Sequence, residues 1–299
     1  MNLKLIDQIK DGTLDPKEAV KKLNSHEATH ISEINITDLK VKVQPSGFPS
    51  LDEFMFIKEG ESELIVVGAR PSVGKSSFMF QLAANVARDM NVLIYSLEMS
   101  KKSIVTRLMG LTMSRAISDL QKGTADEGEK QRAHAALSRL GLYIDDRPRL
   151  DISTIRNSAN VFHRQKPVGL VVVDYLQLIK GVEKGTRDAE IGVITGELKA
   201  LAKDIGCPVV VGAQLNRASE NRGRDSGDYT PQLADLRESG NIEQDADQVV
   251  FLSRPEMYTG TRAGEADIVI AKNRNGKSGK VLMKFSAEMT KFYDMRADI

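Results

Sequence analysis

Short apolar runs alternate along most of the chain with longer segments in which apolar residues return at a helical spacing. The short runs are rich in β-branched residues and are bounded by turn residues, which is typical of buried strands. This α/β alternation predicts a mostly parallel sheet flanked by helices, because helical crossovers join parallel strands. The predicted strands are residues 64–68, 92–97, 142–145, 170–174, 209–214, 249–253, 268–272 and 281–285. The predicted helices are residues 76–88, 101–114, 127–140, 152–165 and 189–205.

The last strands differ from the others in their connections. Too few residues separate the runs at 249–253, 268–272 and 281–285 for crossover helices to fit between them. Antiparallel strands need only a short turn, so we predict that the chain ends in an antiparallel meander.

The first part of the chain has another pattern. Apolar residues between Leu3 and Ile9 share one helical face, and Asp15 followed by proline is typical of the start of a second short helix. A polar stretch follows. We therefore predict a short helical N-terminal extension and linker at residues 1–45, and one α/β domain at residues 46–299.

Charge is balanced over the chain. Its 299 residues include 42 Lys and Arg against 41 Asp and Glu, so the net charge of +1 indicates no particular class of partner. Cys207 is the single cysteine, which excludes an intrachain disulfide and fits a reducing compartment. We see no secretion signal and no apolar run of the roughly 20 residues that a spanning helix needs. We expect a cytoplasmic protein without membrane contact.

The first predicted strand runs directly into a loop with the composition of a phosphate-binding loop. Residues 64–76 read L-I-V-V-G-A-R-P-S-V-G-K-S. In such a loop backbone N–H groups converge on the phosphates, the lysine reaches the β- and γ-phosphates, and the hydroxyl holds Mg²⁺. The strict pattern, G-x-x-x-x-G-K followed by serine or threonine, has glycine where this chain has Ala69, and a chance Gly-Lys-Ser after a buried strand is the alternative. The candidate nucleotide-binding residues are Arg70, Pro71, Ser72, Val73, Gly74, Lys75, Ser76 and Ser77.

Polar side chains stand at the ends of three other predicted strands. Asp174 is where a P-loop ATPase has the carboxylate of its magnesium shell, although aspartate is also an ordinary turn residue. Glu98 is a candidate general base for a water aligned on the γ-phosphate, although the helix dipole also favours glutamate near a helix start. Gln214 has an amide that can sense the γ-phosphate by donating and accepting hydrogen bonds. A glutamine that is merely solvated is the alternative.

Five segments occur in a characteristic order. They read A-R-P-S-V-G-K-S at residues 69–76, S-L-E-M-S at 96–100, D-Y-L-Q at 174–177, D-L-R-E-S-G at 235–240 and K-N-R-N-G at 272–276. In this order they resemble the RecA-like motor domain of the DnaB family of replicative helicases. The resemblance extends over roughly residues 47–293. A phosphate loop with alanine in the place of the first glycine is that family's own form.

The resemblance implies a role for each of these side chains. It implies that Lys75 and Ser76 contact the phosphates of ATP and Mg²⁺, and that Asp174 joins the metal shell. It implies further that Glu98 activates water and that Gln214 couples the state of the γ-phosphate to the rest of the domain.

Two basic residues of the last segment are implied to act on another subunit. By similarity, Lys272 and Arg274 reach the γ-phosphate that the neighbouring subunit binds. A guanidinium supplied in this way contributes about 10³–10⁵ in rate. Without the resemblance, a basic hairpin turn is the favoured interpretation of this segment.

The resemblance also assigns a nucleic-acid contact. Arg237, Glu238 and Gly240 match the family's segment that holds the backbone of single-stranded DNA, and residues 180–187 resemble its other channel loop. A solvated, charged loop is the alternative for both. Because the chain has no Trp, we expect contacts to backbone charge rather than base stacking, with affinity that falls steeply with salt.

The expected function is therefore an ATP-hydrolysing DNA helicase that translocates on single-stranded DNA as a homo-oligomer, by similarity a hexameric ring. A primase or a helicase loader would be a further partner. The family's sizeable N-terminal domain, which recruits primase, is missing here or replaced by the short helices, so we expect a short form typical of a phage or mobile element. The alternative is that these helices are the linker element that docks on an adjacent subunit. A RecA-like recombinase or signalling ATPase, and a DNA-binding accessory subunit without unwinding activity, are the alternatives.

Overall fold

The computed structural model describes residues 13, 15, 31, 40–54, 56–181, 185–216, 228–236 and 240–296. The chain divides into two compact units, Met1–Lys40 and Val41–Ile299. The two short helices predicted near the N-terminus lie outside the described residues. All elements below belong to the second unit.

Short strands and helices follow one another along the second unit. In chain order they are β1 (Lys42–Val43), α1 (Pro49–Asp52), β2 (Lys58–Glu59), β3 (Leu64–Ala69), α2 (Lys75–Val86), β4 (Asn91–Ser96), α3 (Lys101–Met113), α4 (Ile117–Lys122), α5 (Glu127–Leu137), β5 (Leu142–Asp145), α6 (Ile152–Gln165), β6 (Val168–Asp174), α7 (Arg187–Ile205), β7 (Val209–Gln214), α8 (Gly240–Asp245), β8 (Gln248–Ser253), α9 (Glu256–Thr259), β9 (Glu265–Asn273), β10 (Gly279–Ser286) and β11 (Lys291–Asp294). Single 3₁₀ turns lie at Leu176–Leu178 and Leu233–Leu236.

Among the described residues, nine strands form one sheet in the order β11-β10-β9-β8-β3-β7-β6-β4-β5. All pairings from β8 through β3 to β5 are parallel, and those from β8 to β11 are antiparallel. The predicted α/β class with a mostly parallel sheet is confirmed, and so is the antiparallel meander at the end of the chain.

All predicted strands and helices from residue 64 onward are present, but the pattern missed several short elements. The strand β11 consists of four residues, too few for a period to be recognised, and it forms because it pairs with β10 and buries Phe292. The same holds for β1 and β2, which pair only with each other among the described strands. Elements of this length depend on their partners rather than on their own sequence.

The central strand explains why the strands read as continuous apolar runs. All six residues of β3 are buried. Ile65 and Val67 pack in the core that contains Phe78 of α2, whereas Val66 packs on the opposite face in the core that contains Leu198 of α7. Because both faces are covered, each Leu, Ile or Val side chain of β3 contributes about 1.5–3 kcal/mol of hydrophobic stabilisation.

The strand directions give the sheet two different edges. Parallel strands end at the same edge, so the loops that follow β3, β4, β6, β7 and β8 converge there, and we call it the carboxyl edge. β9 runs the other way and ends at the opposite, amino edge. None of the described helices combines the length and the apolar composition that crossing a bilayer requires.

Candidate functional site

The loop between β3 and α2 has the backbone of an anion-binding turn. Ser72 and Gly74 both have positive φ, at 64° and 112°. Gly74 caps α2 without a side-chain acceptor, so the first N–H groups of this helix remain available. Its place suits glycine for a second reason, because a Cβ there would lie 3.2 Å from the ring of Phe292.

The backbone conformation at Ala69 shows why this loop does not need the glycine of the strict pattern at that position. The residue is 1% exposed and is the last residue of β3, in register with Gln214 of β7 and Leu252 of β8. It is not among the residues with positive φ. Ordinary strand backbone accepts a β-carbon, so alanine fits at this position.

A cavity of about 930 Å³ opens at the carboxyl edge above this loop. The predicted nucleotide-binding residues line it, with the exception of Val73, whose side chain is fully buried in the core. The cavity is also lined by Glu98 after β4 and Gln214 at the end of β7. The remaining lining includes residues of α3 and α4 and of the segment from the end of β10 to the turn before β11.

Lys75 contacts the carboxylate predicted to join the metal shell. Its Nζ donates to Asp174 Oδ1 over 2.6 Å and lies 4.3 Å from the ring centre of Tyr175. Gly212 on the adjacent strand β7 leaves the space for this ammonium group, because a Cβ there would lie only 2.6 Å from Nζ. Burial, followed by the charges of Glu98 and Asp174, raises the pKa of Tyr175 above its ordinary value.

The donor set fits a magnesium ion that shares its ligands with phosphate. Asp174 is fully buried, and its Oδ2 has no hydrogen-bond partner in the described structure. Ser76 lines the same cavity. The described residues contain no cluster of three or more His, Cys, Asp or Glu that could hold a metal alone. Magnesium tolerates such a sparse protein shell, because it keeps waters and binds substrate phosphates.

Glu98 stands just before α3 but does not cap it. Ser100 is the N-cap residue, and its hydroxyl accepts from the backbone N–H of Ser103. Ser96 shapes the turn, since its hydroxyl donates to the carbonyl and accepts from the N–H of Met99. Because the cap is supplied elsewhere, capping does not account for Glu98, which lines the cavity.

The backbone of Gln214 is held by the side chain of Gln177. The backbone N–H of Gln214 donates to Gln177 Oε1 over 3.1 Å, and Gln177 Nε2 donates to the Gln214 carbonyl over 3.2 Å. This exchange ties the end of β7 to the turn after β6, which contains Tyr175. The side chain of Gln214 remains exposed at the cavity.

Two arginines line the cavity that were not among the site residues predicted from the sequence. Arg254 follows β8, donates to the carbonyl of Ser72 over 3.4 Å and stacks on the ring of Phe285 at 4.4 Å. Arg107 on α3 donates to the hydroxyl of Ser77 over 3.3 Å. The position of Arg254 directly after a buried strand is the signal that was available, since the neighbouring strands have their candidate residues at the same place.

Lys272 and Arg274 lie at the other edge of the sheet. Lys272 Nζ donates to the carbonyl of Glu243, and Arg274 donates to the carbonyl of Gln244 and, over 3.4 Å, to Asp247 Oδ1. These partners lie beside the start of β3, whereas the phosphate loop follows its end. Burial, followed by the charge of Arg274, lowers the pKa of Lys272. The structure therefore does not bring this pair to the cavity of its own chain.

The predicted DNA-binding segment is described only at its end. Gly240 is the first residue of α8 and is exposed. Arg237 and Glu238 lie outside the described residues, as do residues 182–184 of the other predicted channel loop. The carbonyls that bind Lys272 and Arg274 belong to the last turn of the same helix.

A strand that ends in Ala69, a turn through Gly74 into Lys75 and Ser76, and a buried Asp174 on a nearby parallel strand define a P-loop nucleotide-binding protein of the RecA-like α/β class. The model of one family, the DnaB-like helicase C terminal domain, matches residues 44–294. The chain belongs to this family, as the five segments predicted.

Characterised relatives agree with this assignment. The chain is 40% identical over 260 residues to the replicative DNA helicase DnaB of Geobacillus stearothermophilus, and 38% identical over 260 residues to the replicative DNA helicase DnaC of Bacillus subtilis (strain 168). Both matches cover 84% of this chain and 56% of the relative, so the chain spans about half the length of these relatives.

Two solved structures share the fold. The first is an isolated ATPase domain, which superposes with a TM-score of 0.81 at 30% identity and covers 94% of this chain and 99% of that one. The second is a DnaB-like replicative helicase, solved together with its interactions with primase, which also gives 0.81 at 30% identity and covers 98% and 75%. The predicted RecA-like core is thereby confirmed.

Proposed function

We propose that this chain is the motor of an ATP-dependent DNA helicase that translocates on single-stranded DNA and unwinds duplex DNA during replication. Its family and the names of its relatives support this class of activity. One observation carries the proposal: the phosphate loop lies at one edge of the sheet and Arg274 at the other. Such an arrangement becomes a complete site only where two copies of the chain meet.

Residues Arg70 to Ser77 wrap the triphosphate of ATP. The backbone N–H groups at the start of α2 and the ammonium of Lys75 face its negative charge. Ser76 and Asp174 hold Mg²⁺, which when bound neutralises charge on the phosphates. Lys75 must then exchange its bond to Asp174 for one to phosphate, and the length of its side chain permits this.

Glu98 accepts the proton of the attacking water. Its carboxylate lines the cavity together with the phosphate loop, and capping does not account for its position. A positioned general base of this kind contributes about 10²–10⁴ in rate. Gln214 senses the γ-phosphate from the end of β7, and its bonds with Gln177 transmit the change along the carboxyl edge.

The neighbouring subunit supplies the cations. Lys272 and Arg274 of one protomer stabilise the charge that develops on the nucleotide of the next, so the active form is a closed ring, with six copies by similarity. A heterologous contact of this kind forms a ring when the rotation closes. Hydrolysis then depends on ring geometry, because each cavity is incomplete alone.

Single-stranded DNA passes along Arg237, Glu238 and Gly240. Arginine supplies charge-assisted bonds to the DNA backbone, and glycine exposes a backbone N–H. The relative that was solved with its interactions with primase supports a primase as a further partner. A helicase loader is the alternative partner.

Unwinding of a forked DNA substrate by the purified chain tests the proposal. Lys75→Ala should abolish unwinding and weaken ATP binding, whereas Glu98→Gln should keep ATP binding and lower kcat for hydrolysis by about 10²–10⁴. Lys284→Ala removes an exposed lysine from β10 as the matched control and should leave both activities unchanged.

Two other outcomes would replace this function. Filaments that exchange DNA strands without unwinding forks would make the protein a recombinase. DNA binding without any stimulation of ATP hydrolysis would make it an accessory subunit. Unwinding that survives Glu98→Gln at the full rate would remove Glu98 from its proposed role.

A further inference from the structure

Asp247 directly precedes β8 at the amino edge of the sheet. It connects β3, which leads into the phosphate loop, with Arg274, which follows β9. It is buried, with 6% of its surface exposed. Its backbone N–H donates to the carbonyl of Leu64 over 2.9 Å, and its own carbonyl accepts from the backbone N–H of Arg274 over 2.9 Å. The main chain of Asp247 thus joins the first residue of β3 to the residue that follows β9.

The side chain repeats both connections. Asp247 Oδ2 accepts from the backbone N–H of Leu64 over 2.7 Å. Asp247 Oδ1 accepts from the guanidinium of Arg274 over 3.4 Å. Each carboxylate oxygen therefore serves a different strand.

A second cation compensates the burial of this carboxylate. Lys199 on α7 donates to Asp247 Oδ2 and, over 2.8 Å, to the carbonyl of Ser62. Taking a carboxylate out of water is costly unless cations and hydrogen bonds replace the water. Leu64, Lys199 and Arg274 together supply that replacement, so Asp247 is fixed from three sides.

Arg274 is held but still reachable. Its side chain is 48% exposed, while bonds to Asp247 and to the carbonyl of Gln244 use only two of its five N–H donors among the described contacts. Ordering a long cationic side chain costs conformational entropy. Fixed acceptors supply that order before a neighbouring subunit arrives, which is how preorganisation increases rate.

We propose that Asp247 is the residue that positions Arg274 for action on the neighbouring subunit's nucleotide. The inference rests on the proposed function, because it takes Arg274 to act in trans. Asp247 also holds the first residue of β3, the strand that ends in the phosphate loop. One carboxylate therefore links the nucleotide site that a protomer contains to the cation that it presents to the next protomer.

Asp247→Asn tests the role, because it keeps the size and the two main-chain bonds to Leu64 and Arg274, and removes the negative charge that faces Arg274 and Lys199. We expect kcat for DNA-stimulated hydrolysis to fall about tenfold while KM for ATP changes less than about twofold. Asp247→Glu restores the charge and should recover part of kcat. Asp267→Asn is the matched control, since Asp267 is 5% exposed, pairs with Arg262 and should leave kcat unchanged.

An unchanged or raised kcat in Asp247→Asn would overturn the proposal. So would a higher KM with normal kcat, because Asp247 would then act on nucleotide binding in its own subunit.

Mixed rings that contain two variants test whether Asp247 acts on the nucleotide of the neighbouring subunit or on that of its own subunit. Asp247→Asn subunits keep their own phosphate loop, and Lys75→Ala subunits present an intact Arg274. The two are co-expressed with different tags and purified through both. We expect mixed rings to regain turnover, since about a quarter of the contacts in an equal mixture join an intact loop to an intact cation.

Mixed rings in which Arg274→Ala takes the place of Asp247→Asn test the trans role of Arg274 separately from the positioning role of Asp247. If Arg274→Ala is rescued by Lys75→Ala but Asp247→Asn is not, Asp247 does not act through Arg274 and the positioning role is wrong. If Arg274→Ala is not rescued either, the trans role in the proposed function is wrong.

Discussion

The two edges of the main sheet differ in whether their polar groups have hydrogen-bond partners within the chain. At the carboxyl edge, α2 begins without a side-chain cap, and Asp174 Oδ2 has no hydrogen-bond partner in the described structure. At the amino edge, Lys272 and Arg274 donate to carbonyls of α8, and Asp247 accepts from several donors. Exposed donors and an orphaned carboxylate oxygen suit an edge that receives a charged ligand with its metal.

The amino edge, by contrast, is already assembled. Its cations are ordered by their own chain before any partner arrives, which suits groups that act on a molecule held elsewhere. Under the proposed function, the two edges divide the work within one sheet: one edge binds the nucleotide, and the other edge completes the site of a neighbour.

The largest effect is expected at the amino edge. Arg274→Ala should lower DNA-stimulated kcat by about 10³-fold or more, because the proposed function takes this guanidinium to stabilise charge on the neighbour's nucleotide. ATP affinity should change little, since the residue lies away from the cavity of its own chain. Steady-state hydrolysis with single-stranded DNA and equilibrium nucleotide titration measure the two quantities.

Arg156→Ala is the control for this variant, because Arg156 makes ordinary ion pairs with Glu197 and Asp204 on the helical surface. It should leave kcat unchanged. A large loss of ATP affinity in Arg274→Ala with normal kcat would contradict the division between the edges.

A smaller effect is expected from Gly212→Ala at the carboxyl edge. The added Cβ would lie 2.6 Å from Lys75 Nζ and 3.2 Å from Asp174 Oδ1. The lysine end can move, so the fold should persist, but the space through which Lys75 reaches phosphate is reduced. We expect nucleotide binding to weaken about tenfold, a change of about 1.4 kcal/mol, in equilibrium titration.

Gly196→Ala provides the comparison for that variant, since Gly196 lies in α7 with nothing described within 4 Å of an added Cβ. It should leave nucleotide binding unchanged and stabilise the helix by about 1 kcal/mol. Equal binding by both variants would show that Gly212 does not make room for Lys75.

Thr195→Val tests whether α7 holds in place the helix α8 that binds Arg274 at the amino edge. The Thr195 hydroxyl is buried and donates to Asp245 in the last turn of α8, the helix whose carbonyls hold Arg274. Removing it should cost about 1.5 kcal/mol in urea unfolding and lower kcat about twofold to threefold. Thr112→Val is the control, because that hydroxyl donates within its own helix, and a similar kcat loss there would argue against a specific role.

The smallest effect is expected at a cap outside both sites. Asp151 caps α6, and its bonds to Ser153 and Thr154 hold its pKa at about 2. Asp151→Ala should cost about 1 kcal/mol near neutral pH. Because the folded pKa lies below the ordinary value of 3.8, this difference should be full above that value and disappear as the pH falls toward 2.

Urea unfolding of the unsubstituted chain and of Asp151→Ala, at several pH values from neutral down to the acid range, measures this difference in the free energy of unfolding. ATP hydrolysis at neutral pH is the second readout. Any loss of kcat, or a stability difference that grows as the pH falls, would contradict a purely structural cap.

The fold was largely predictable because its signals are local. Runs such as 64–69 are apolar throughout since both faces are covered, and α7 buries residues spaced three and four apart between Ile191 and Ile205. The four-residue β11 was missed, because pairing with β10 and burial of Phe292 form it. Short elements depend on contacts with distant parts of the chain, which a single-sequence pattern does not contain.

The sequence by itself determined the phosphate loop and the polar residues that follow β4, β6 and β7, because consecutive residues build the loop and strand direction follows from helical crossovers. Only the tertiary structure decided that Arg274 and Asp247 meet at the edge away from the cavity, and that Arg254 stacks beside Ser72. The reason is that these contacts depend on the order of strands in the sheet. That order is fixed by the packing of the whole domain.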